Sequence, residues 1–178
     1  MSLVVVLRCA NMSTSFTEGD LLETEGLRAY AFAAQLDGTM DVGFASALKK
    51  RWPAFADAYA THCQDVGFAY GDVFAWTADG VTIYALGIQQ AGQKPRLLAL
   101  NEALTKLLTL AREAKINRVG MVRIGTGPGG LDWTRVRKML GEVGAKQPVK
   151  LVVFEKFVRA RQADAADTEA ESSPNESE

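Results

Sequence analysis

Apolar, β-rich runs alternate with helical stretches along this chain, and that alternation constrains its fold more than any other feature. The run LRAYAFAAQ (27–35) is apolar almost throughout, the pattern of a strand buried on both faces. VGFASALKKRW and PAFADAYATHCQ then carry helical spacing, with Asp41 expected as the first helix's N-cap and Pro53 restarting the second in its first turn. GDVFAWTADGVTIYALGI (71–88) reads as a hairpin around Asp79-Gly80, a dipeptide favoured in two-residue turns. A long amphipathic helix follows at about 96–115, with leucines at 97, 100, 104, 107, 108 and 110. Next come a strand at 118–124, a helix at 132–143 and a closing strand at 149–154. LVVVL (3–7) is expected to be the opening strand; a polar stretch separates it from EGDLLE (18–23), the approach to a second short element. Such an order predicts a layered α/β fold, and the hairpin favours a mixed sheet.

The 178 residues suit one domain with a sizeable core. We expect that domain over 1–160 and an acidic tail, too poor in apolar residues to order, over 161–178. From Gln162 onward there are six acids and no base, so 20 Lys and Arg face 15 carboxylates in the rest. The resulting net charge of about +5 suits an anionic ligand but lacks the dense basic stripe of a nucleic-acid binder. No apolar run approaches the ~20 residues of a membrane span. MSLVVVLRCA is short and has no basic n-region, so it reads as a strand and not a signal peptide. Two isolated cysteines, Cys9 and Cys63, make no disulfide framework and point to the cytoplasm. The one histidine, His62, has no partners at metal-ligand spacing, so no metal is expected. Nor does any G-x-S-x-G elbow provide a nucleophile.

RIGTGPGGLDW (123–133) places four glycines in six positions between a strand and a helix. Gly125, Gly127 and Gly130 match G-x-G-x-x-G, and Glu155 stands where a dinucleotide fold would bind a ribose. That fingerprint opens a domain, however, whereas almost nothing but the acidic segment follows Glu155 here. Walker A fails for want of Gly-Lys-Ser/Thr. A tight turn needs one or two glycines; four point to close approach of backbone to a ligand, and amides at a helix N-terminus favour an anion. QLDGTMDVGF (35–44) is a second strand-to-helix loop, with Gly38 and Gly43. Two such loops on neighbouring strands can close over one diphosphate.

With these segments in their order, residues 18–155 resemble a macrodomain, the α/β/α module that binds ADP-ribose. GDLLE resembles the family's G-D-I/L opening, RAYAFAAQLDGTMDVGFASAL its DAIVNAAN…GGGVA segment, and GDVFAWTADGVTIYALGI its G-x-V-x-x-T hairpin. RIGTGPGGLDW is similar to the loop of the branch holding terminal ADP-ribose glycohydrolases and the antitoxins that remove ADP-ribose from DNA. The resemblance implies a three-layer α/β/α fold with a central mixed sheet and no cofactor. It places Asp20 and Leu21 at the adenine, Gln35 at a ribose hydroxyl, and Gly38, Gly43 and Phe44 near the diphosphate and distal ribose. Gly125, Thr126, Gly127, Pro128, Gly129, Gly130 and Leu131 would form the second phosphate wall.

Departures bear on catalysis. The paired asparagines of NAAN are Phe32 and Gln35, and Ile88, Gln89 or Gln90 stands where the glycohydrolase branch has its nucleophilic lysine. Gly129 replaces an acidic loop partner, and Ala45 the aspartate that another macrodomain class uses. The expected function is binding of ADP-ribose, free or on a macromolecule, as a reader or degenerate hydrolase. The alternative is an active glycohydrolase working through Asp132, Asp37, Asp41 or Lys94, with Asp132 the catalytic candidate. A third reading, suggested by Phe32, is a scaffold with a decayed pocket. Expected partners are ADP-ribose or an ADP-ribosylated macromolecule, without metal or membrane, and with nucleic acid only as an ADP-ribosylated substrate.

Overall fold

A computed structural model describes residues 14–127 and 130–158. The expected strand at 3–7, Pro128, Gly129 and the acidic segment from 161 lie outside them. The strands are β1 (Ser15–Gly19), β2 (Ala29–Gln35), β3 (Val73–Ala78), β4 (Val81–Gln89), β5 (Arg118–Val122) and β6 (Lys150–Phe157). The helices are α1 (Gly43–Arg51), α2 (Pro53–Asp65), α3 (Leu97–Glu113) and α4 (Trp133–Gly144), and one 3-10 turn covers Leu21–Glu23. The sheet order is β1-β6-β5-β2-β4-β3, with β3 antiparallel to β4 and all other neighbours parallel.

The mixed α/β/α sandwich follows from the sequence pattern. On β2, Ala29 and Ala31 face α3 and α4, while Tyr30, Phe32 and Ala34 face α1 and α2. Leu100, Leu104, Leu107 and Leu108 of α3 are fully buried on the first side. Phe55 and Tyr59 of α2 fill the second. Pro53 is the first residue of α2, where its missing N–H costs nothing. Asp79 (φ 51) and Gly80 (φ 73) make the hairpin turn, both left-handed as a type I′ turn requires.

Two strand ends differ from the sequence expectation, and one strand was not expected. SFTEG is polar enough to look like a loop, yet it forms edge strand β1 with β6 as its single neighbour. An edge strand with exposed Thr17 and Glu18 needs no apolar run, and polar residues there discourage pairing with other chains. Partnered by β1, β6 runs on past Phe154 to Lys156 and Phe157. At the other boundary, β5 stops at Val122, because the chain turns at Gly125 with φ +68. Gly120 on β5 lies so close under Leu27 and Leu21 that an added Cβ would sit 2.4 and 2.5 Å from them. Those leucines thereby anchor the turn that carries Asp20.

Tyr30, Tyr59 and Tyr84 are buried phenols whose pKa values are raised, chiefly by desolvation. For Tyr59 the neighbouring Cys63 acts in the same direction. A folded pKa above the unfolded value of about 10 gives stability that is complete below that pH and lost as pH climbs past it. Thermal melts above pH 10 are therefore expected to show a falling midpoint, with tyrosinate absorbance appearing together with unfolding. A flat midpoint from pH 8 to 11 would contradict this.

Candidate functional site

The carboxyl ends of β2, β4 and β5 open onto two adjoining cavities that share Gly43, Phe44, Val122 and Arg123. The first, about 350 Å³, lies between the loop after β2 and the loop after β5, with Gln35, Asp41, Gln89, Gly125, Gly127 and Gly130 on its walls. The second, about 370 Å³, is walled by Asp20, Leu21, Leu22, Phe154, Glu155 and Phe157. Together they form one bipartite cleft at the place where parallel sheets receive ligands.

Helix α1 points its N-terminus into the shared wall. The expected cap, Asp41, is not there: Val42 holds the N-cap position and offers no side-chain acceptor. Asp41 pairs instead with Lys49 at 3.0 Å. No side chain caps the helix, and Gly43, Phe44 and Ala45, whose first-turn amides have no intrahelical acceptor, are on the cavity wall at the positive end of the helix dipole.

The glycines of the second loop separate into two kinds. At Gly125 a Cβ would press on Ile88 at 3.0 Å and on Leu131 at 3.3 Å, and φ is +68. At Gly130 it would meet the carbonyls of Gly125 and Gly127 at 2.5 and 2.7 Å. These two glycines let the loop fold on itself, its closure fixed by Gly130 N–H donating to Gly127 O (2.7 Å) and Leu131 N–H to Gly125 O (2.8 Å). Gly127 is different: among the described residues nothing lies within 4 Å of its would-be Cβ, and its φ is not left-handed.

The other candidates divide by place. Gln35 reaches the first cavity, and its carbonyl accepts a hydrogen bond from the buried Tyr59 hydroxyl. Gly38 (φ +85) instead backs onto α2, where an added Cβ would lie 3.0 Å from the Ala60 backbone. Thr126 donates its hydroxyl to Arg123 O (3.0 Å), and Leu131 packs on the core. Asp132 is exposed and caps α4, accepting from Arg135 N–H at 3.0 Å. Asp20 caps the 3-10 turn, accepting from Leu22 N–H at 3.0 Å, while lining the second cavity. Asp37 accepts from Thr39 N–H (3.0 Å), and Lys94 is exposed. Phe32, 2% exposed, joins the aromatic cluster of Phe55 and Tyr59 edge-on at 5.9 and 6.2 Å, with one side at the cavity floor. His62 stands apart, against Phe74 at 4.7 Å. Among the described residues no group of three or more His, Cys, Asp or Glu is placed to hold a metal ion. No helix there is long and apolar enough to cross a membrane.

Arg123 is the cleft residue that the sequence reading passed over. It borders both cavities, with its guanidinium 5.1 Å over the Trp133 ring. Trp133 Nε1 and Arg137 Nε both donate to Glu155 Oε1, at 3.0 and 3.1 Å, so the ring beneath Arg123 is itself fixed. An arginine heading a glycine loop is the signal that marks it.

A family model described as Macro domain matches residues 32–140, which contain both loops. The chain belongs to the macro domain family. Among relatives, this macrodomain is 30% identical over 131 residues to a DNA ADP-ribosyl glycohydrolase of Mycobacterium tuberculosis, covering 71% of this chain and 37% of that protein. The macrodomain thus spans little more than a third of the length of the curated relatives it matches. The macrodomain of Thermus aquaticus DarG superposes with a TM-score of 0.73 at 24% identity, over 80% of this chain and 97% of that one. The macrodomain of Mycobacterium tuberculosis DarG gives 0.71 at 26% identity, over 80% and 98%.

Proposed function

We propose that this macrodomain binds ADP-ribose, free or attached to a macromolecule, and acts as a reader or weak hydrolase. In this reading the diphosphate lies across the α1 N-terminus and the 125–130 loop, and the adenine enters the cavity beside Asp20 and Leu21. The observation that carries it is Gly127: packing among the described residues does not require a glycine there, but a ligand passing over bare backbone does. The uncapped α1 amides and the Arg123 guanidinium add donors of the right sign. The names of the relatives, which are DNA ADP-ribosyl glycohydrolases, agree with the ligand class.

The preference for reading over cleavage rests on what the cleft contains. Gln89 sits at the end of β4 with its Nε2 donating to Gln93 O at 2.9 Å, and an amide cannot supply the amine nucleophile. Asp132 is engaged as a helix cap. The domain is taken to span 1–160, with 161–178 as an acidic tail, in a cytoplasmic setting.

Calorimetry with ADP-ribose tests binding, and no heat at millimolar ligand sinks it. Incubation with mono-ADP-ribosylated protein and DNA then separates the two activities. Release of free ADP-ribose by the parent, lost in Asp132→Ala, would replace the reader with the hydrolase. Arg123→Ala is expected to weaken ADP-ribose about 10- to 100-fold, the scale of one charge-assisted hydrogen bond of ~1.5–3 kcal/mol. An unchanged Kd would remove Arg123 from the site.

A further inference from the structure

We infer that Glu155 is a positioning residue for the cleft: it fixes the Trp133 ring as a platform and, through that ring, sets the Arg123 guanidinium for a diphosphate. This rests on the ADP-ribose reading of the cleft. Val122 on β5 and Phe154 on β6 are register partners, and Arg123 and Glu155 are the residues that follow them. Both border the second cavity, yet they form no ion pair with each other. Arg123 takes part in none of the six ion pairs of the described residues. Glu155 Oε1 instead accepts from Trp133 Nε1 at 3.0 Å and from Arg137 Nε at 3.1 Å. Those donors lie one turn apart on α4. Arg137 is held in turn, with its guanidinium carbon 4.0 Å over the Phe16 ring, and Phe16 meets Trp133 edge-on at 6.3 Å. The stack ends at Arg123, 5.1 Å over Trp133 and on the wall common to both cavities.

Two features give this arrangement a use beyond packing. A carboxylate on the wall of a site for an anion repels the ligand, so Glu155 stands there against the charge of the ligand class. Its oxygen is engaged by α4 and not by Arg123, which leaves that guanidinium to bond phosphate. The indole N–H bond also stops the Trp133 ring from turning, and a fixed ring gives Arg123 a seat within the ~6 Å over which cation–π attraction acts. A free arginine loses rotamer freedom when it grips a ligand; one ordered beforehand avoids that loss. Charge and position therefore predict opposite signs when Glu155 is removed. As a bystander charge it would hinder ADP-ribose, and its loss would tighten binding. As the support of Arg123 it aids ADP-ribose, and its loss weakens binding.

Calorimetry of the full chain with ADP-ribose separates the two. Glu155→Ala is expected to weaken binding about 2- to 10-fold, the ordering cost of one long side chain, although it removes a negative charge. Glu155→Gln removes the same charge but keeps an oxygen for the indole N–H, so it should restore affinity toward that of the parent. In an Arg123→Ala background, Glu155→Ala should have no further effect, because the residue it supports is gone. A readout without ligand accompanies these: in nitrogen-edited NMR spectra of the free chain, Glu155→Ala should move both the Trp133 Nε1–H and the Arg123 Nε–H resonances. Tighter binding by Glu155→Ala, no rescue by Glu155→Gln, an undiminished loss in the Arg123→Ala background, or an Arg123 resonance that stays in place would each overturn the inference. No heat from the parent would instead end the ADP-ribose reading, and the Arg123 resonance would then decide the positioning role by itself.

Discussion

Gly127→Glu is expected to lower ADP-ribose affinity at least ~100-fold, about 2.7 kcal/mol, while leaving the melting temperature unchanged. Among the described residues nothing lies within 4 Å of the added Cβ, so their packing has no reason to respond. The ligand does, because a carboxylate would then stand in the path proposed for two phosphates, with the α1 dipole and Arg123 as its own partners. Gly130 would be a poorer probe, since any side chain there strikes the loop's own carbonyls at 2.5 and 2.7 Å. Calorimetry paired with thermal melting checks the claim. Wild-type affinity in Gly127→Glu would move the diphosphate away from this loop.

The second large effect falls on stability. Phe55→Ala is expected to cost about 3–5 kcal/mol, a drop of roughly 10 °C or more in melting temperature. Phe55 is fully buried and lies at the centre of an aromatic cluster, 5.9 Å from Phe32, 6.1 Å from Tyr59, 6.3 Å from Phe74 and 5.8 Å from Trp76. Removing it leaves a cavity that four rings on three elements cannot close together. Because Tyr59 holds the Gln35 carbonyl at the cleft rim, affinity should suffer alongside stability. A midpoint within about 3 °C of the parent would show that the cluster collapses around the gap.

The layered fold was legible because α3 spaces its leucines at a helical period and β2 is apolar on both faces, and neither pattern has another use. Pro53 opening α2 was an equally local feature, readable from residue type, whereas Asp132, read as the catalytic candidate, caps α4. What sequence could not give was anything decided between segments. SFTEG becomes a strand only because β6 lies beside it. Asp41 falls one residue before the N-cap, Val42, and pairs with Lys49, eight residues on. Glycine composition marked the site, but only packing separates Gly125 and Gly130, which the loop needs, from Gly127, which it does not. Arg123 heads the glycine loop in sequence, but its place between two cavities is set by packing.

The pairing of β1 with β6 sets an order of events during synthesis. Thr17 and Phe154, neighbours in the sheet, are separated by nearly the whole described chain. The second cavity takes one wall from Asp20–Leu22 and the facing wall from Phe154–Phe157. Until β6 has been made, the Asp20–Leu22 wall has no facing wall, so the adenine half of the cleft cannot form before residues 154–157 are available. Only when residue 157 has emerged does the cleft acquire both ends.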